Sequence, residues 1–205
     1  MQDNNAILET ENTYHIFNRA NGNEKLFLSD VIYRYFLRKY DEYIFPIVDT
    51  LCYCLMPNHF HFLVRVKKNT VLNDFFKDKI EKATNLQGFK NLEGLERLIS
   101  RQFSNFFNSY SKAFNKQHSR RGSLFMHTYK RKLITEESCL RKLIHYNPIE
   151  AGLTQLPEEW KYTSYKSIIS LRDTKLLKDE VIGYFDDVEN FKYCHKYSSN
   201  LTFKG

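Results

Sequence analysis

Two apolar runs separated by only two residues constrain this chain more than any other feature. "IVDTLCYCLM" (residues 47–56) and "HFHFLVRVK" (residues 59–67) are rich in β-branched and aromatic residues, and only Pro57 and Asn58 lie between them. So short a connection favours an antiparallel hairpin. The near-continuous apolar character predicts strands covered on both faces. Within the second run, His59 and His61 stand one residue apart. Strand side chains alternate, so both imidazoles project from one face, while Phe60, Phe62 and Val64 project from the other into packing.

Around this hairpin the periodicity supplies the other elements. "TYHIFNRA" (residues 13–20) alternates and reads as a first strand. "SDVIYRYFLRKYDEYI" reads as a helix, with Ser29 as its N-cap and Ile32, Tyr35, Phe36, Lys39 and Tyr43 at helical spacing. Residues 68–94 are polar and mixed, a partly helical surface insertion. In "LERLISRQFSNFFNSYSKAFNK", Ile99, Phe103, Phe106, Phe107, Tyr110 and Phe114 form an unbroken apolar stripe. "LFMHTYKRKLI" then reads as a strand. "TEESCLRKLIHY" reads as a helix capped by Thr135, with Leu140, Leu143 and Ile144 inward. The order strand, helix, strand, strand, helix, strand, helix predicts an α+β fold with a ferredoxin-like βαββαβ core and an antiparallel sheet. We expect residues 1–155 to form the functional domain. Residues 156–205 should be a C-terminal helical extension packed on it, containing Trp160 and the patterned stretch "DEVIGYFDDVENFKYC".

The chain has 205 residues, enough for one good-sized domain, and no apolar run approaches the ~20 residues of a membrane helix. The first residues lack a charged-then-apolar leader pattern. The four cysteines, Cys52, Cys54, Cys139 and Cys194, are sparse and irregularly spaced, as in a reduced, cytoplasmic protein. Cys52 and Cys54 share a strand face, as buried apolar residues or as half of a metal site lacking its second pair. From Lys112 to Lys142, nine Lys or Arg stand against Glu136 and Glu137, so this window carries the chain's whole net charge of +7. Such concentration suits a polyanion, or a solvated basic surface.

Two imidazoles on one rigid strand face can converge on a divalent ion, although two core-edge histidines bonded to backbone leave the same pattern. "MPNHFHFLVRV" resembles the His-hydrophobic-His signature of the HUH single-tyrosine nucleases. "YHIFNRANGNEKLF" resembles their first strand and the loop after it, and "RRGSLFMHTYKRK" and "NPIEAGL" are similar to the downstream blocks of their REP-associated tyrosine transposase branch, with "WKYTSY" as a further matching block. The resemblance covers roughly residues 13–153 and implies a ferredoxin-like fold. It also implies a metal-dependent endonuclease and strand transferase acting on single-stranded or hairpin DNA, monomeric or homodimeric, with no membrane partner. By the same resemblance, Mg²⁺ or Mn²⁺ sits on His59 and His61 with a third polar ligand, Asn147. A tyrosine attacks the phosphorus and forms a 5′-phosphotyrosine link. Arg120, Arg121, Lys130, Arg131 and Lys132 are the candidate contacts to DNA phosphates.

One departure concerns the nucleophile. In the family the tyrosine sits four residues before the Asn of the "NP" block, on the same helix face. Here that position is Leu143, and the phenol in the neighbourhood is Tyr146, directly beside Asn147. Counted from "CLRKLIHY", however, Tyr146 occupies the nucleophile's place, as if three residues had been lost. Pro148 is expected to disfavour helical geometry at Asn147, which argues against Glu150 replacing Asn147 as a ligand. His127 and His145 lie near the expected site without ligand spacing, and Tyr129 is expected to pack or to stack on a base. The impaired spacing leaves open a DNA-binding protein of the same fold that has lost cleavage. A metal-dependent RNA phosphodiesterase, with water attacking, is a third reading.

Overall fold

The structure is a computed structural model that describes residues 4–84, 92–126, 128–135 and 144–197. The described residues form four strands: β1 (Thr13–Arg19), β2 (Val48–Met56), β3 (His59–Val66) and β4 (Lys130–Ile134). They form one sheet in the order β2-β3-β1-β4, every neighbouring pair antiparallel. This is the order that a split βαβ core requires, with β3 inserted between β1 and β2. The expected α+β architecture is therefore present. The β2–β3 hairpin closes as its sequence demands, with Met56 opposite His59 across Pro57 and Asn58. A bulge between Thr50 and Cys52 leaves Leu51 without a partner and turns it into the core.

The residues of one sheet face are Tyr14 and Ile16 of β1 and Phe60, Phe62 and Val64 of β3, all buried. Helices α1 (Asp30–Tyr43) and α4 (Leu92–Gln117) cover them. Phe36 of α1 packs against Phe60, Phe62, Phe106 and Tyr110 at ring separations between 4.8 and 6.2 Å. The α4 stripe read from the sequence is thus the inner surface of this helix. Between α1 and α4, the hairpin is followed by two short helices, α2 (Asn69–Phe75) and α3 (Lys77–Thr84). Ser29 precedes α1 in extended geometry but makes no side-chain capping bond.

Among the described residues, the opposite sheet face is covered only in part. Leu51, Cys52, Cys54, Met56 and Leu63 pack there against Ile144, Tyr165, Ile168, Val181, Phe185 and Phe191. These come from a 3₁₀ turn (Ile144–Tyr146), from α6 (Tyr165–Ile168), α7 (Lys178–Gly183) and α8 (Val188–Tyr197), and, for Phe185, from the turn between α7 and α8. The patterned stretch in the tail is thus two helices, α7 and α8, broken around Asp186, whose φ is +71°. Bridges from Thr163 to Cys54 and from Leu176 to Thr50 close the free edge of β2.

Two expectations need adjustment. The strand predicted over residues 124–134 is shorter, and only Lys130–Ile134 joins the ladder. Pro148 does not interrupt helical geometry: it lies in the first turn of a new short helix, α5 (Asn147–Glu150), where its missing N–H costs nothing. Most of the helix predicted over residues 135–146, including Cys139, Leu140 and Leu143, lies outside the described residues, as does His127.

Candidate active site

The part of the second sheet face that no described element covers holds a cleft of about 600 Å³. The strand registers arrange its floor in rows. Met56, His59 and Arg19 form one row, and Cys54, His61, Phe17 and Lys130 the next. Cys52, Leu63, His15 and Lys132 form the third. His59, His61, Arg19, Phe17, Met56 and Lys130 all line the cleft, and Asn147 and Glu150 of α5, with Ala151 just after it, wall it. The two histidines read from the sequence therefore line a cavity, His59 half-buried and His61 buried at its floor. Their ring centroids are 5.1 Å apart with planes at 88°. Two imidazoles ligating one ion at about 2.1 Å each have centroids about 5 Å apart at a near-tetrahedral angle.

Both rings are neutral at pH 7. Burial, with the Arg19 charge beside it, depresses the pKa of His59 to about 4. Burial, then the neighbouring His15 and His59, holds His61 well below the ordinary imidazole range. The Nδ1 of His59 donates to the Oδ1 of Asn58 at 2.7 Å, which leaves Nε2 with its lone pair. The Nδ1 of His61 is bonded to the Nε2 of His15 at 2.9 Å. His15 is fully buried behind Phe17 and His61 and is not part of the cleft surface.

Asn147 is buried, and its Nδ2 has no hydrogen-bond partner. An orphaned amide in a cleft is a group awaiting a ligand. It can donate to a phosphate oxygen or, turned over, offer Oδ1 to a cation. Among the described residues no group of three or more His, Cys, Asp or Glu side chains is arranged to hold a metal. A bound ion would have to rest on His59 and His61 with amide, carboxylate or water oxygens. Burial raises the thiol pKa of Cys52 and Cys54, so these cysteines remain protonated and are poor ligands.

The remaining candidates separate clearly. Lys130 lines the cleft, and the Lys132 Nζ sits 5.7 Å over the Phe17 ring on the same face. Arg131 alternates to the other face, where its Nε donates to the carbonyl of Ala6 at 2.6 Å. Arg120 is committed internally: it donates to Asn115, Gly122 and Ser123 at 2.7–3.1 Å and pairs with Glu24. Arg121 is exposed beside it. Tyr129 is buried and stacked on Phe103, a packing residue. Tyr146 is half-buried and packs against the second apolar cluster. No tyrosine is among the described residues that line the cleft.

Two cleft residues and one buried beneath them escaped the sequence reading. Arg19 and Phe17 sit opposite His59 and His61 only because of the β1–β3 register, which no local pattern reveals. His15 has the same origin. The available signal was the alternation of "TYHIFNR", which places His15, Phe17 and Arg19 on one face.

No protein family matches the chain by sequence, and no curated protein matches it. Among solved structures, the chain is similar to a REP-associated tyrosine transposase bound to a REP hairpin. The TM-score is 0.51 at 11% identity, over 82% of this chain and 86% of that one. The chain shares that transposase's fold. No helix among the described residues is long and apolar enough to cross a membrane.

Proposed function

We propose that the protein binds single-stranded or hairpin DNA and acts on it as a metal-dependent endonuclease and strand transferase. The observation that carries this reading is the meeting, in one cleft, of two neutral imidazoles, an unpartnered amide and two cations. The solved structure with the same fold is bound to a DNA hairpin, which supports the choice of partner. Arg19 and Lys130 would hold the scissile phosphate by charge, and the Asn147 amide would orient one of its oxygens. His59 and His61 would hold Mg²⁺ or Mn²⁺. Two nitrogen donors suit Mn²⁺ better than Mg²⁺, which prefers an all-oxygen shell. When bound, the ion supplies Lewis-acid polarisation of the phosphate. The Tyr146 hydroxyl, having lost its proton, would attack phosphorus. The bond to the leaving oxygen breaks, a 3′-hydroxyl is released and a 5′-phosphotyrosine link remains.

A second reading has its own support. Tyr146 is not among the described residues that line the cleft, and it packs against the cluster that includes Ile144 and Phe191. A protein of this fold that binds DNA hairpins without cleaving them fits that placement. One experiment separates the two readings. The protein is incubated with Mn²⁺ and a labelled hairpin bearing a single-stranded flank, then resolved under denaturing conditions. A covalent adduct that disappears in Tyr146→Phe supports strand transfer. Salt-sensitive binding with no adduct under either metal supports the second reading. Absence of DNA binding defeats both.

A further inference from the structure

His15 holds the key to which nitrogen His61 presents. The two rings are buried at 1% and 4% exposure, and their Nε2 and Nδ1 atoms are 2.9 Å apart. They stack with centroids 5.1 Å apart and planes at 16°, and Phe17 stacks on both. Neither ring can rotate without breaking this three-ring packing. A hydrogen bond between two neutral imidazoles needs one donor and one acceptor, so the two rings must adopt complementary tautomers. There are two ways to do this, and they have opposite consequences at the cleft.

If His15 Nε2 carries the proton, His61 Nδ1 accepts, and His61 must then carry its own proton on Nε2. The cleft would meet an N–H, which a cation cannot use. If His61 Nδ1 carries the proton, His15 Nε2 accepts, His15 carries its own proton on the buried Nδ1, and His61 Nε2 offers a lone pair. His59 already has the second arrangement, because its Nδ1 donates to Asn58 and its Nε2 keeps the lone pair. Two lone pairs then face the same cleft.

We propose that His15 is a positioning residue that accepts a hydrogen bond from His61 Nδ1 and so fixes the His61 tautomer whose Nε2 can bind a divalent cation. This rests on the metal-dependent reading above. It places an imidazole where such ligands are more often backed by a carboxylate or a backbone carbonyl.

The test reads the tautomer directly and the metal separately. Long-range ¹H–¹⁵N correlation of the imidazoles in metal-free protein at neutral pH should show His61 protonated on Nδ1. His15→Leu, which cannot accept, should lose this preference and weaken Mn²⁺ binding, followed by EPR, about 10–100-fold. His15→Gln, whose Oε1 can accept, should restore the tautomer and recover most of the affinity. Packing alone would not distinguish Leu from Gln in this way. Finding His61 protonated on Nε2 in the unmodified protein overturns the proposal. So does a His15→Leu protein with unchanged tautomer and Mn²⁺ affinity. The first measurement needs no substitution, so a variant that fails to fold leaves the decision intact. If the native protein binds no Mn²⁺ yet shows the Nδ1–H tautomer, the metal-dependent reading fails and the His15 assignment stands.

Discussion

The Nδ1 of His145 lies 3.0 Å from the Nε2 of His195, and both rings are buried beneath the second sheet face. The bond is one link in a chain. His195 Nδ1 donates to the Phe191 carbonyl at 2.7 Å, which makes its Nε2 the acceptor for His145. His145 Nε2 then accepts from the Ser164 hydroxyl at 2.7 Å, and Ser164 receives the Tyr53 amide at 2.8 Å. Every proton position follows from the first carbonyl. The chain fastens α8 and the residues before α5 to β2, and α5 is the wall of the cleft. Replacing His195 with Leu leaves the His145 N–H buried and unpaired, which should cost about 1–3 kcal/mol in urea unfolding. The His145→Leu/His195→Leu double variant should cost less than the sum of the singles, by about 1 kcal/mol or more.

Three buried histidines and the half-buried His59 also set the acid limit of the fold. Burial lowers His59 and His195 to about 4 from 6.5, and holds His61 and His145 well below 6.5. In the unfolded chain these groups protonate near pH 6.5, whereas in the native state they stay neutral. Between those values the unfolded state binds more protons, so stability falls as pH falls. We expect a flat unfolding midpoint from pH 8 to pH 7, then a decline from about pH 6.5 toward pH 4. His195 alone contributes up to about 3 kcal/mol across that window. In His195→Leu the decline should be shallower between pH 6.5 and pH 5, before carboxylates begin to titrate. Urea titrations at fixed ionic strength check this.

The basic residues divide into those that hold DNA and those that hold the chain. Lys130→Ala and Lys132→Ala should leave thermal stability within about 0.5 kcal/mol. Each should reduce the slope of log affinity against log salt by about one for a hairpin oligonucleotide. Arg120→Ala should do the reverse. It removes three hydrogen bonds and an ion pair at a side chain only 18% exposed, so it should cost about 1–3 kcal/mol while leaving the salt slope unchanged. Anisotropy titrations from low to high salt, paired with thermal melts, separate the two classes.

These contrasts show what the sequence carried and what it lacked. The hairpin, the α4 stripe and the shared face of His59 and His61 were legible because period and turn chemistry are local. Sheet order followed from the order of elements. Arg120 and Lys130 look alike in a basic window, and only tertiary placement shows that one braces a loop and the other faces a cleft. Pro148 was read as a helix breaker because its position within a helix was unknown. At a first turn the same residue is compatible with helical geometry. His15 was invisible as a site residue because its importance lies in a cross-strand diagonal, and register is not written in either strand alone.

Asn147 offers a test of whether the cleft is built for binding at the expense of stability. Its Nδ2 is buried without a partner, a state that costs free energy in the absence of ligand. Leucine has similar size and no polar group to leave unpaired. Asn147→Leu should therefore raise stability by about 1 kcal/mol, read as a higher urea midpoint with an unchanged slope. The same substitution removes the amide that would meet phosphate or ion, so hairpin affinity in Mn²⁺ should drop about tenfold or more. A gain in stability with a loss in binding marks a residue kept for its ligand. A loss in both would mean that the Asn147 amide is a structural bond and that α5 walls the cleft for packing alone.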